Sequence, residues 1–243
     1  MTAQDIGTML GRLMKGLSLL RSLLPSIYFN FHYLPFSQAV RLPVLFYKPR
    51  FGVLKGTVRI EGPVRPGMIL LGNQRTGVYP NSGIMFENGG GECVFHGKVR
   101  IGGASAISIG EHGHLEIGDD VVSNAALKLI CFHRITIENR VRLGWETIVM
   151  DSGFHRLKNV DGTFCGKGVA PVHLCHDTWV STRCMVMPGA ATAPYTVVAA
   201  NSLLNKRIEE SYVLLGGSPA AIRKRGVYRD MDDDSIDYAA CQA

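Results

Sequence analysis

No apolar run in this sequence reaches the ~18 residues of a membrane-spanning helix, although 46% of its 243 residues are hydrophobic. The N-terminus has polar and basic residues threaded through it and no evident cleavage site, so no signal peptide is expected. The six cysteines (Cys93, Cys131, Cys165, Cys175, Cys184 and Cys241) contain no C-x-x-C spacing. Buried, reduced thiols of a cytosolic protein are the expectation. Charged residues make up 19% and aromatics 8%, a globular and not a disordered composition. The net charge of +6 is uneven, because residues 1–60 hold eight lysines and arginines against Asp5 alone. A nucleic-acid surface would interleave basic and aromatic residues across a domain face. The body of this chain does not, so nucleic acid is not an expected partner.

Glycine, by contrast, is plentiful at 28 residues, which suits a fold of many tight corners. In steps of six from Leu174 stand Val180, Val186, Thr192, Val198 and Leu204. Four places after the first five of these are Thr178, Cys184, Ala190, Thr196 and Ser202, all small. A period of six matches neither a helix nor an alternating strand. It fits a solenoid in which each hexad is a short strand and a corner, with one aliphatic chain pointing inward. Three hexads, roughly eighteen residues, close a triangular coil, and several coils must stack because one cannot bury its own face. The repeat starts imperfectly at Val58, Val64 and Leu70. It recovers at Phe95, Ile101 and Ile107, then steps by two at Ile107/Ile109, Leu115/Ile117 and Ile135/Ile137 before Leu143 and Val149.

Three segments follow from this. Residues 1–57 are expected to form an amphipathic helix over 6–24, ended by Pro25, then an irregular linker that caps the first coil. Met9, Leu10, Leu13, Met14, Leu17 and Leu20 recur at helical spacing. Two placements are open for that helix: docked on the body or a sister subunit, or lying on an anionic membrane surface. Residues 58–208 carry the repeat. It lapses at 72–94, a Gly- and Asn-rich stretch expected to form a distorted turn or a protruding loop, and again at 150–173, which has four glycines and no six-period. Residues 209–243 hold GGSPAAIRKR and an acidic tail (Asp230, Asp232, Asp233, Asp234 and Asp237) expected to be mobile.

The hexads, the loop MDSGFH, the run PVHLCHDTWVSTRCMVMPG and the segment GGSPAAIRKR together resemble the hexapeptide-repeat acyltransferases, over roughly Val58 to Arg225. The segment SIYFNFHYLPFSQAVRLPV is similar to the lead-in of the branch that acetylates sugars in surface-polysaccharide synthesis. The resemblance implies an all-β solenoid, a left-handed parallel β-helix with an N-terminal helical segment. It implies a homotrimer with active sites between subunits, acetyl-CoA as co-substrate along the coils, a sugar or glycan acceptor, and no metal. The setting implied is cytoplasmic, at the inner face of the membrane if the helix binds there. The activity implied is acetyl-CoA-dependent O-acetylation of a sugar hydroxyl. An N-acetyltransferase on an amino-sugar nucleotide and a non-catalytic assembly surface are the alternatives. The β-helix carbonic anhydrases also use hexads, but they need a histidine pair five apart, which this sequence lacks.

His155 is the candidate base. Its spacing alone also allows a solvated loop residue; the resemblance assigns it removal of the hydroxyl proton, which imidazole can do at neutral pH. Asp151 could orient that ring, bind the acceptor or cap a turn. Trp145, Glu146 and Trp179 could wall the sugar or simply pack. The resemblance assigns acetyl-CoA contacts to Thr182, Ala200, Asn205, Lys206 and Lys224, the lysines for phosphate. The chain departs from the family at Gly153, where a second Asp is usual, at Ala221, where a basic residue is usual, and at Cys175, Ser181, Met187, Ala193 and Ala199, where glycine is usual.

Overall fold

The computed structural model describes residues 21–73, 77–80 and 82–235. Three parallel sheets form the faces of a prism. The first face begins at Val44–Phe46 and passes through Val99–Gly102, Val121–Ser123, Arg142–Leu143, Trp179–Val180 and Val197–Val198. The second runs from Pro49–Leu54 through Lys128–Cys131 and Ile148–Met150 to Leu203–Leu204. The third runs from Thr57–Ile60 to Val172–Leu174. Each strand therefore pairs with the equivalent strand of the coil below and the coil above, as in Lys128↔Ile148↔Met185↔Leu203.

The inward columns are aliphatic because nothing else can fill a dry prism. Leu174, Val180, Val186, Val198 and Leu204 are buried, and so are the small corner residues Thr178, Cys184, Ala190, Thr196 and Ser202. Thr192 takes an inward position by sharing a hydroxyl hydrogen bond with Thr178 at 3.0 Å. The I-x-I pairs are longer strands that bury two residues per face, such as Ile107 with Ile109 and Ile135 with Ile137. Near the start, the expected column through Leu70 is off by one. Ile69 and Leu71 point inward and Leu70 outward. Residues 72–94 are likewise not one loop, since they include the strands Ile84–Asn88 and Glu92–Phe95.

Helix covers residues 21–33, so Pro25 lies within it and does not end it; the rest of the expected 6–24 helix lies outside the described residues. The proline removes one backbone donor, and docking outweighs that loss. Phe29 is fully buried against Phe46, Phe51 and Phe86, with ring centroids 4.8, 5.9 and 5.1 Å away. The same helix satisfies the first strand, which has no coil beneath it. Asn30 donates to the Val44 carbonyl at 2.7 Å and accepts from the Val44 N–H, while the Ser26 hydroxyl accepts from the Phe46 N–H. Among the described residues no helix is long and apolar enough to cross a membrane.

Cys93, Cys131 and Cys184 are buried as expected of reduced thiols, but Cys165 is exposed and Cys175 only half-buried. The tail is not free as far as residue 235. Arg140 is hydrogen-bonded to Asp177 at 2.7 Å and bidentate to Asp232 at 2.9 and 3.2 Å. Arg229 lies over the Trp179 ring at 4.7 Å and pairs with Asp234. Asp237 lies outside the described residues.

The second lapse is a true extrusion. Arg142 pairs with Trp179, 37 residues on, where Trp179 pairs with Val197 after 18. The extra chain leaves the corner between the second and third faces and forms a small hairpin, Leu157–Lys158 against Phe164–Cys165. Asp151 holds its base. Fully buried, its carboxylate accepts the N–H groups of Phe132 and His133, each at 2.8 Å. Phe154 packs edge-on against Phe132 at 4.9 Å. Two substitutions test this division of labour by denaturant unfolding. Leu174→Ala, in the aliphatic column, is expected to cost about 2–5 kcal/mol. Asp151→Ala, which removes the buried carboxylate that accepts two part-buried N–H groups, is expected to cost about 3 kcal/mol. A loss below 1 kcal/mol for either would contradict the role given to it.

Candidate active site

His155 sits on the outgoing limb of the extruded loop, four residues past the Asp151 anchor, and is exposed. The limbs are tied by a bridge between Ser152 and Val169, and the Gly153 N–H donates to the Gly168 carbonyl at 2.9 Å. Phe154 adopts a left-handed backbone (φ 59°), which turns the chain immediately before the histidine. Further out, the Arg156 guanidinium stacks on Phe164 at 3.5 Å and steadies the hairpin. The imidazole is thus presented on a loop with a fixed root. Among the described residues it has no hydrogen-bond or ion-pair partner.

Asp151 is not that partner, because both its oxygens are spent on backbone N–H groups of the coil below. Of the roles open to it, the geometry favours capping. Burial, then Asp151 itself, pushes the neighbouring Cys131 thiol up to about 12, so this thiol stays protonated. Gly153 also leaves the imidazole without a carboxylate. Its backbone needs no glycine, and an added Cβ would meet only carbonyl oxygens, at 3.8 and 3.9 Å. The missing acid at 153 is a chemical difference and not a packing requirement.

The other candidates fall into three groups. Trp145, Glu146, Thr182 and Ala200 stack at the corner between the first and second faces. Asn205 and Lys206 are exposed at the next corner, the one that carries the His155 loop two coils earlier. Trp179 faces out from the first face beneath Arg229, and Lys224 lies on the antiparallel strand Ala221–Arg225 that closes the same face. The first two groups are therefore the two rims of the second face, and the third group is away from it.

Sequence reasoning missed what joins the rims. Outward positions of the second face near the loop are Ile130, Ile148, Met150, Met185, Met187 and Leu203, with Lys128 paired beside Ile148 as the charged exception. This apolar floor is a departure from the polar outer face expected of a free sheet. The floor's far rim is reinforced from the segment between the strands Ile69–Asn73 and Ile84–Asn88. Tyr79 donates to Glu146 at 2.9 Å, and Arg183 grips the other Glu146 oxygen at 2.5 Å. Arg183, then Tyr79, holds the Glu146 carboxyl below its usual range, so it is ionised at neutral pH. The signal for this floor was present in sequence only as methionines after inward residues, at Met150 and Met187.

No protein-family model and no curated protein sequence matches the chain. Among solved structures it is similar to the polySia-specific acetyltransferase NeuO. The TM-score is 0.57 and the identity 16%, over 79% of this chain and 76% of that one. Below a TM-score of 0.5 it is similar to a hexapeptide-repeat-containing acetyltransferase from Vibrio cholerae (0.40, 22% identity, 55% of this chain and 70% of that one). The polysialic acid O-acetyltransferase OatWY is similar at 0.34 and 12% identity, over 79% and 90%. Identities this low speak to fold alone, and the likeness to NeuO agrees with three parallel faces stacked coil on coil. The chain has the left-handed parallel β-helix fold of the hexapeptide-repeat acetyltransferases.

Proposed function

We propose that the protein transfers an acetyl group from acetyl-CoA to a sugar hydroxyl, with His155 as general base. The observation that carries this reading is His155 itself, a free imidazole on a rooted loop at the edge of an apolar strip of the second face. The fold shared with NeuO, described as an acetyltransferase specific for polySia, supports the reaction class. The same strip supports the donor: Thr182 and Ala200 lie along one rim and Lys206 along the other, so a small-residue track and a phosphate-directed cation flank an apolar floor. With His155 at the acceptor, its ring nitrogen takes the hydroxyl proton as the oxygen bonds to the thioester carbon. The carbon–sulfur bond then breaks, and the imidazolium returns its proton to the departing CoA sulfur. The products are an acetyl ester and free CoA, with no covalent acyl-enzyme. Cytoplasm is the compartment this reading implies, because acetyl-CoA is the donor.

The same floor supports assembly. A second copy facing Ile148, Met150, Met185 and Leu203 would cover apolar surface that a single chain leaves exposed, and would wall that strip into a groove. We infer a trimer closed in this way.

His155→Ala is expected to lower kcat for acetyl transfer by about two to four orders of magnitude with an unchanged circular dichroism spectrum. Near-normal turnover would sink the mechanism. Met185→Glu puts a charge on the floor. In sedimentation it is expected to give a smaller species that has lost activity, and an unaltered trimer would contradict the proposed interface. Treating the acetylated product with mild alkali distinguishes an ester, which is cleaved, from the amide of an N-acetyltransferase, which survives.

A further inference from the structure

We propose that Glu138, His173 and Cys175 form a binding site for one borderline-soft divalent cation, Zn²⁺ in the first place, on the outer side of the third face. Glu138 and His173 are 35 residues apart in sequence, so no local spacing pattern pairs them. Stacking brings them together. Glu138 follows the strand Arg134–Ile137, and His173 lies on the paired strand Val172–Leu174, which Cys175 follows.

The three donors converge. His173 Nε2 is 2.7 Å from Glu138 Oε1 and 4.0 Å from Cys175 Sγ, and all three donor atoms lie within 4.8 Å of one another. A nucleophilic Cys–His–acid relay would use opposite nitrogens of the ring. Here the acid and the thiol share one nitrogen, as ligands around a common centre do. Tetrahedral zinc with bonds of about 2.0–2.3 Å places its ligand atoms ~3.3–3.6 Å apart. The Glu–His contact would open and the Cys–His contact would close by roughly half an ångström each.

The ligands are also held from behind, as metal ligands usually are. The Cys175 N–H donates to Thr192 Oγ1 at 3.0 Å, and that hydroxyl is in turn tied to buried Thr178. The second Glu138 oxygen accepts the His176 N–H at 2.9 Å. The His173 and Glu138 side chains are 39% and 34% exposed, so an ion can reach them from solvent. Arg207, two coils on, also bears on the thiol. On binding, the Cys175 S–H proton passes to solvent and a metal–sulfur bond replaces it. Cys175 and His173 are among the first residues to return from the extruded loop. The cation would therefore clip the returning limb of the His155 loop to the coil below.

Metal-free full-length protein titrated with Co²⁺ tests this without reference to activity. One equivalent should bind with a thiolate-to-cobalt charge-transfer band that Zn²⁺ abolishes. Zn²⁺ should also raise Tm by mass action. Cys175→Ser should remove the band, and His173→Gln and Glu138→Gln should each weaken binding at least about tenfold. Cys165→Ser combined with Cys241→Ser should leave band and stoichiometry intact. Absence of the band, its persistence in Cys175→Ser, or its loss in the Cys165→Ser/Cys241→Ser protein would overturn the proposal. If Cys175→Ser does not fold, unchanged Co²⁺ affinity in His173→Gln overturns it instead.

Discussion

Everything in this molecule depends on the ladder between coils. A strand of two or three residues has no stability alone, yet Met185–Val186 is fixed because Ile148–Met150 lies below it and Leu203–Leu204 above. The ladder is strong enough to hold non-glycine residues in left-handed backbone at two corners of almost every coil. Ala104, Ala126, Glu146, Arg183 and Asn201 mark one corner and Asp120, Arg140, Asp177, Tyr195 and Tyr212 another, all with φ between 51° and 64°. Each such residue costs about 1–2 kcal/mol by itself. The cost is tolerated because the backbone bonds on either side leave the corner no other path.

A stack this uniform can do chemistry only where it is interrupted, or along its outer rows. The interruption at residue 151 is controlled: one buried carboxylate takes two N–H groups of the lower coil and frees the next twenty residues to leave the prism. Tyr79, from the segment between the strands Ile69–Asn73 and Ile84–Asn88, reaches the opposite rim at Glu146. The two segments, far apart in sequence, thus flank one face, which is apolar along Ile148, Met150, Met185 and Leu203. The rim residues, the floor and the loop histidine follow from where the ladder was broken, and the ladder itself keeps them in register.

The core was legible in sequence wherever the period was strict. From Leu174 to Leu204 every inward position and every small corner was visible, because an eighteen-residue coil admits only one register. It was less legible where coils lengthen. Leu70 was misplaced because the strand Ile69–Asn73 buries Ile69 and Leu71 around it. Pro25 looked like a helix end, since nothing local announces that Phe29 and Asn30 dock on the open coil. The tail looked mobile because its partner Arg140 is 92 residues from Asp232. At the site, His155 was assigned through the family resemblance, since its place in a lapsed loop also suits a solvated residue. The role of Asp151, the apolar floor and the Glu138–His173–Cys175 cluster all arise from contacts between coils, which no local pattern records.

The central claim is that acetyl transfer takes place on the second face beneath His155. The position of the CoA sulfur in a crystal structure of the protein with CoA bound tests it most directly. The account predicts the pantetheine arm between Thr182 and Lys206 on that face. The sulfur should then leave an acceptor oxygen within about 3–3.5 Å of the acyl carbon and in hydrogen-bond reach of the imidazole. CoA bound on the first or third face, with its sulfur remote from His155, would contradict it.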